Sequence, residues 1–440
     1  MGDQQEPRLP PAAGLDGFEY RAPAEAALEP ESPAVKRVGL GFISLYTLAY
    51  LGTVLVLIAP LLVTLALKVN SLVGIEQAPS SLAVVTGIGA LVAMVGNPFF
   101  GRLSDRTSSR FGMRRPWMVI GLVGGIFGIL VVALAPNIPV VVLGWCTAQL
   151  LFNALLAATV AVLPDQVPVV QRGLVAGVLG VCLPIASVSG TFLVQLFTGK
   201  QLAMFLIPCA IGGFFILLFA IRLKDRRLAK ADKPTWSLRE FASSFYVNPR
   251  KSPDFAWAFA SRFMFVLAYA FVTTYQAYYL LDKIGSTEAD VPRQIFLGTL
   301  AQSSVIVAAS VIGGRLSDWT GRRKIFVFTA SIVYGLAMFV LAIASNLNGF
   351  FVGMAISGLG FGMYMAVDLA LVADVLPNKD NAAKDLGVLN IAGALPFTVA
   401  PAIAPAILAI GSGSYGLLYG FAGVCAILGA VAILPVKRVR

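Results

Sequence analysis

Any proton chemistry in this chain has to be carried by carboxylates, because its 440 residues include no histidine, the side chain that titrates most readily near neutral pH. The pair best placed for it is Arg262 and Asp368, each set inside a long apolar run. A charge in hydrocarbon costs several kcal/mol, so both must face protein or water, and each needs a partner of opposite sign. If the runs are helices, Arg262 stands eight residues beyond Asp254 and Asp368 nine residues before Pro377, which puts both about 12–13 Å from the same edge. At that matched depth Asp368 can carry a proton whose release Arg262 tunes, or the two can form a static ion pair. Asp374, closer to the edge, reads as a gate residue or an interfacial charge.

Hydroxyls and amides surround this pair at helical spacing. Tyr269, Thr273 and Gln276 follow Arg262 on its own face, and Tyr364 lies one turn before Asp368. Tyr46, Tyr50 and Thr53 form a similar stripe near the start of the chain, and Gln149 and Asn153 repeat it. Such stripes line a polar cavity or serve ordinary packing and interface anchoring.

A different chemistry sits in GRLSDRTSSRFGMRRP, Gly101 to Pro116, where five arginines surround Asp105. Asp105 can pair with Arg106, Arg110, Arg114 or Arg115 and sit against the positive N-terminal end of a neighbouring helix. A shorter copy, GRLSDWTGRRK, brings back Gly314, Asp318, Gly321, Arg322 and Arg323. Gly101 to Gly314 and Pro164 to Pro377 both step by 213 residues (314 − 101 and 377 − 164). Two unrelated signposts with one offset imply a duplicated half-chain.

The elements that position these residues follow from composition. With 58% apolar residues, 12% charged and a mean hydropathy of +0.83, the chain carries more apolar surface than a soluble core can hide. It reads as an all-α membrane protein of twelve transmembrane helices in two pseudo-symmetric six-helix halves. Runs of about 20 residues fall near 38–67, 81–104, 117–135, 138–163, 173–197, 202–223, 254–281, 293–314, 324–345, 349–375, 386–410 and 414–435. All 33 basic residues except Lys68, Lys200, Lys283, Arg293 and the intrahelical Arg262 lie on the side of the termini. The positive-inside rule then places both termini in the cytoplasm. The net charge of +11 is therefore a topology signal, and no nucleic-acid partner is expected.

The domains divide as a disordered cytoplasmic tail at 1–35, halves at 36–223 and 254–436, and a cytoplasmic linker at 224–253, in which Trp236 to Val247 could lie on the bilayer as an amphipathic helix. Matching Gly- and Pro-rich spans, with Pro184 in one and Pro396, Pro401 and Pro405 in the other, read as bending elements. The four cysteines fall inside spans as small apolar side chains. No metal or cofactor is expected, nor a phosphate-binding loop that would mark an ATP-driven pump.

A Gly, three residues, an Asp and a basic cluster, placed between spans two and three and again between eight and nine, resembles the signature of the major facilitator superfamily. The resemblance covers about 36–436. It implies that spans one, four, seven and ten line a central cavity, which puts Arg262 and Asp368 in it, and that the two loops act as gates. The first copy, with its spaced RFG-x-RRP, looks like the loop of the glycoside and sucrose cation symporters. It departs from the second copy in having Arg106 where that has Trp319, and four extra residues before its second Gly. The expected function is secondary transport of a small solute by alternating access, as a monomer in the cell membrane, with proton symport of a sugar or glycoside first and proton-driven export of a drug or metabolite second. A membrane enzyme would need an acid–base or nucleophilic set that is absent from the pattern, and a sensor would need a signalling domain that the short tails do not hold.

Overall fold

The structure, a computed structural model, describes residues 37–228, 252–375 and 382–436. The N-terminal tail, the amphipathic linker segment, the Leu376–Pro377 landmark and the side chain of Asp374 lie outside the described residues. Among those described, twelve helices are long and apolar enough to cross a membrane. They are α1 Leu40–Val73, α2 Ala78–Asp105, α3 Arg115–Leu134, α4 Ile138–Gln166, α5 Val169–Leu196, α6 Gln201–Arg222, α7 Pro253–Lys283, α8 Val291–Thr320, α9 Arg323–Ile343, α10 Leu347–Val375, α11 in two pieces (Ala382–Ala394 and Pro396–Ile410) and α12 Tyr415–Ile433. Successive helices run antiparallel. The end of the bundle that carries the loops at 106–114 and 321–322 is termed the basic face, and the opposite end the far face.

Several helices break where proline removes a backbone donor. Pro184 has no N–H for the Gly180 carbonyl, and α5 is interrupted at Val181. Pro396 does the same to Ala392, and α11 is interrupted at Leu395. Two further irregularities escape the apolar pattern. The backbone widens into a π-helical turn at Pro60–Thr64 in α1 and again at Tyr279–Lys283 in α7, where Leu65 N–H bonds to Pro60 O and Ile284 N–H to Tyr279 O. Both lie toward the far end of the first helix of a half, the first before the last nine residues of α1 and the second at the end of α7.

Lysines secure both ends. Lys68 Nζ donates to the last carbonyls of α3 at Ala133 O, 3.1 Å, and Lys283 Nζ donates to Ala342 O at the end of α9. Neither needs a carboxylate, because carbonyls left open at a helix C-terminus carry partial negative charge.

Close approach of small residues fixes the packing inside each half. α3 meets α4 at Gly128, where an added Cβ would lie 2.5 Å from Ala148 N and 2.8 Å from Gly144 O. α10 is wedged between α8 and α9: Gly358 and Gly362 face Gln302 O and Ile306 O, while Gly360 faces Tyr334 N and Ala330 O. In hydrocarbon, contact of this kind replaces the hydrophobic drive that lipid cannot supply.

Between the halves, the far end of α7 reaches across to the first helices. Gln276 Nε2 donates to Leu62 O at 3.2 Å, Tyr278 Oη to Ala66 O at 2.9 Å and Tyr275 Oη to Pro79 O at 3.4 Å. Asn70 Nδ2 donates to Glu288 in the loop beyond. α2 packs along α11 and α5 along α8, where Phe192 and Phe296 meet with ring centroids 5.4 Å apart. The far face is thus latched shut.

Candidate transport site and gates

Arg262 and Asp368 meet. Arg262 Nη1 donates to Asp368 Oδ2 at 2.5 Å, and the Asp368 residue is only 6% exposed. Tyr364 lies beside the same carboxylate. Its ring lies flat on Phe265 with centroids 3.7 Å apart, and Tyr269 packs on Phe361 at 4.6 Å and edge-on to Phe397 at 6.1 Å. α11 closes the third side at Gly393, where an added Cβ would lie 3.5 Å from Arg262 Nη2. The guanidinium contacts the carboxylate through one nitrogen and one oxygen, and its Nε is buried with no partner among the described residues. A pair held for rigidity alone tends to be bidentate and fully bonded. This one keeps donor capacity in reserve.

Toward the far face, Tyr269, Thr273 and Gln276 line a cavity of about 20 Å³ together with Leu62, Ser187, Thr299 and Gln302, room for about one water. Helices of both halves meet there. The earlier stripes divide. Tyr46 turns into the first six helices, its hydroxyl donating to Thr159 O at 3.0 Å and its ring stacking on Phe219 at 5.5 Å, while Tyr50 is half-buried beside it. Asn153 donates to Gln149 O at 2.8 Å and accepts from Asn97 at 3.3 Å, forming a second polar cluster on α2 and α4. Asn97, Thr299 and Gln302 carry no charge and share no clear spacing with the residues singled out in the sequence.

At the basic face Arg114 is the hub. Its Nη2 lies 2.6 Å from Asp105, its Nε 2.8 Å from Asp165 and its Nη1 2.5 Å from Ser104 Oγ. Burial opposes its charge, but the hydrogen bond with Asp165 and the charge of Asp105 outweigh that and raise the guanidinium above its ordinary pKa. Arg115 instead reaches Ile221 O at 2.8 Å, Gly101 has open space around it, and Arg106 caps the end of α2. The place expected for Asp105, at a helix N-terminus, is held by Asp225. Its Oδ2 accepts from Arg114 N at 2.7 Å and Arg115 N at 2.9 Å, the first amides of α3. Gly112 makes this possible: its φ is +103°, and a Cβ there would sit 2.2 Å from Asp225 Oδ2. Met113 N also bonds to Arg226 O at 3.1 Å, so the start of the linker is zipped onto the first loop. Asp165, which the sequence reading missed, follows the Leu163–Pro164 landmark directly, the one signal that could have found it; Asp225 carried no spacing signal.

The second copy is looser. Gly321, with φ +64°, ends α8 in the left-handed conformation, Asp318 and Arg322 are exposed, Arg323 opens α9, and Gly314 packs near Ala366.

Loss of the Asp225 cap is expected to cost about 1 kcal/mol. Asp225→Ala should lower the thermal midpoint of the purified protein, and Asp225→Asn, which keeps an acceptor oxygen, should lower it less. Equal melting of all three proteins would remove the cap from the fold's support.

A sequence model of the Major Facilitator Superfamily matches residues 38–301 and 292–440. The chain belongs to that superfamily. It is a multi-pass membrane transporter of the MFS, and its fold is shared by solved MFS structures at low sequence identity. The nucleoside transporter NupG superposes with a TM-score of 0.71 at 11% identity, covering 90% of this chain and 99% of that one. A POT family transporter in complex with a thioalcohol-conjugated peptide gives 0.69 at 12%, covering 89% and 95%. A D-xylose–proton symporter gives 0.68 at 14%, covering 90% and 98%. No curated protein sequence matches the chain.

Proposed function

We propose that this MFS chain is a proton-coupled symporter of a sugar or glycoside, working as a monomer in the cell membrane with its basic face in the cytoplasm. The observation that carries the reading is the Arg262–Asp368–Tyr364 cluster, a carboxylate with an incompletely bonded arginine, buried where α7, α10 and α11 meet. In a chain without histidine it is the group best placed to carry a proton between the halves. Tyr269, Thr273, Gln276 and Gln302 supply hydroxyl and amide groups suited to a hydroxyl-rich solute, and aromatic faces suited to the apolar side of a sugar ring. Two of the similar structures, a nucleoside transporter and a xylose–proton symporter, handle solutes that contain a sugar, which supports the same reading.

Transport follows from the latch. With the far end of α7 bonded to α1 and α2, this conformer is closed at the far face. Exchange requires the halves at 36–223 and 254–436 to rock, with the linker at 224–253 joining them and α5 and α11 bending at their prolines. The aromatic wall of Phe265, Tyr269, Phe361 and Phe397 favours a second reading, proton-driven export of an amphipathic drug or metabolite.

The deciding experiment is a solute panel on the purified protein in liposomes, with and without an imposed pH gradient. Uptake of a sugar or glycoside that follows the gradient supports symport. Efflux of apolar cations or drugs against a proton gradient, with no sugar uptake, supports the second reading.

The latch makes its own prediction. Tyr278→Phe deletes one hydrogen bond, worth about 1 kcal/mol, so the far-open population should rise about fivefold. With the native cysteines removed, a Leu62→Cys reporter, buried behind the latch, should be labelled correspondingly faster in the Tyr278→Phe background. An unchanged labelling rate would mean that Tyr278 does not hold the far face.

A further inference from the structure

A second cavity, of about 380 Å³, opens on the far face, away from the Arg262–Asp368 cluster. Its walls come from both halves. The first half contributes Glu76, Pro79 and Ser80 at the start of α2; the second contributes Asp282 at the end of α7, Leu408 at the end of α11 and Tyr415 at the start of α12. The volume is in the range of small-molecule pockets.

Its chemistry is one-sided. Glu76 and Asp282 are exposed carboxylates on opposite sides of the junction, and no basic residue is in the lining. The neighbouring lysine, Lys283, is committed elsewhere, to Ala342 O and the ring of Tyr279. Tyr415 is only 4% exposed, and its hydroxyl has no hydrogen-bond partner among the described residues. A buried polar group left open against a cavity invites a ligand or water to complete it. Pro405 and Leu408 add an apolar surface beside it.

We propose that this cavity binds an amphipathic organic ammonium ion and that, when filled, it holds the far face closed. The charge would sit between Glu76 and Asp282, with an N–H donated to the Tyr415 hydroxyl, and the apolar body would lie on Pro405 and Leu408. Because the walls belong to halves that must separate for transport, the ligand binds the latched conformer and loses its site when the far face opens. By linkage it slows the cycle without entering the central site. The binding claim rests on the cavity alone; its inhibitory effect rests on the rocking described above.

The test uses 2-phenylethylammonium, with the neutral 2-phenylethanol as its control, titrated into the purified full-length protein by calorimetry. The ammonium ion should bind and the alcohol should not. Glu76→Gln and Asp282→Asn should each weaken binding about threefold and the double variant about tenfold, the range expected of partly solvated charges. Tyr364→Phe, which alters the central site only, should leave binding unchanged. Saturating ammonium should also slow labelling of Leu62→Cys. No binding at about 10 mM, equal binding of the alcohol, binding that survives in the double variant, or loss in Tyr364→Phe instead would each overturn the proposal. None of these outcomes touches the pH-gradient assay that tests symport.

Discussion

Asp368→Asn is expected to abolish pH-gradient-driven accumulation, by at least about tenfold, while exchange of solute down its own gradient survives. The asparagine keeps the shape and can still accept from Arg262, but it cannot take up a proton. If the Arg262–Asp368 pair served the fold alone, removing one partner would strand the other charge and cost about 3–5 kcal/mol, and neutralising both would restore much of that. The double variant Arg262→Gln/Asp368→Asn separates the two cases. A coupling carboxylate leaves it folded and uncoupled; a structural pair leaves it folded and active. Accumulation and counterflow measured on the two single variants and the double decide between them, and full accumulation by Asp368→Asn would take the carboxylate out of the mechanism.

Gly360→Val and Gly128→Val should deplete folded protein more than any substitution at the charged residues. At Gly360 an added Cβ would lie 2.6 Å from Tyr334 N and 2.8 Å from Ala330 O. Those are backbone atoms of α9, which cannot rotate away as a side chain can. The helices would have to separate, giving up contact along their length at a cost of several kcal/mol. Gly213→Ala, whose nearest neighbours would be leucine side-chain atoms at 3.5 Å, is the tolerated control. The readout is the monodisperse fraction on size exclusion together with the thermal midpoint. Normal yield and melting for Gly360→Val would show that α9 and α10 have more freedom than their contact implies.

The parts of this structure that depend on hydropathy and spacing were legible beforehand. Twelve apolar runs became twelve spanning helices, and the matched depths of Arg262 and Asp368 became a 2.5 Å contact, because a helix converts residue count directly into distance. Asp105 found one of its four proposed partners, Arg114. What stayed hidden has a common physical cause. The latch lands on the carbonyls of Leu62, Ala66 and Pro79, groups that every residue carries, so no side-chain pattern announces them. Asp225 lies 111 positions from the amide it caps, a tertiary contact without periodicity. Tyr46 shares its helical stripe with residues expected near the cavity, yet it is fully buried against Phe219, because a stripe fixes a face and not what the face meets.

The widened turns at Pro60–Thr64 and Tyr279–Lys283 can be counted as phase. Each inserts one extra residue; the turn in α7 closes that helix, whereas the one in α1 delays the residues beyond it by about 100° around the helix axis. α1 therefore follows one phase through Tyr46, which faces its own half, and another beyond Thr64, where Ala66 meets Tyr278 of the opposite half and Lys68 meets Ala133. Deleting one residue from the first turn, such as Leu61, would restore a single phase and swing Lys68 away from Ala133 toward lipid, and the latch carbonyls would move with it. The inserted residue in α1 lets one continuous helix serve its own half at Tyr46 and meet the opposite half at Ala66.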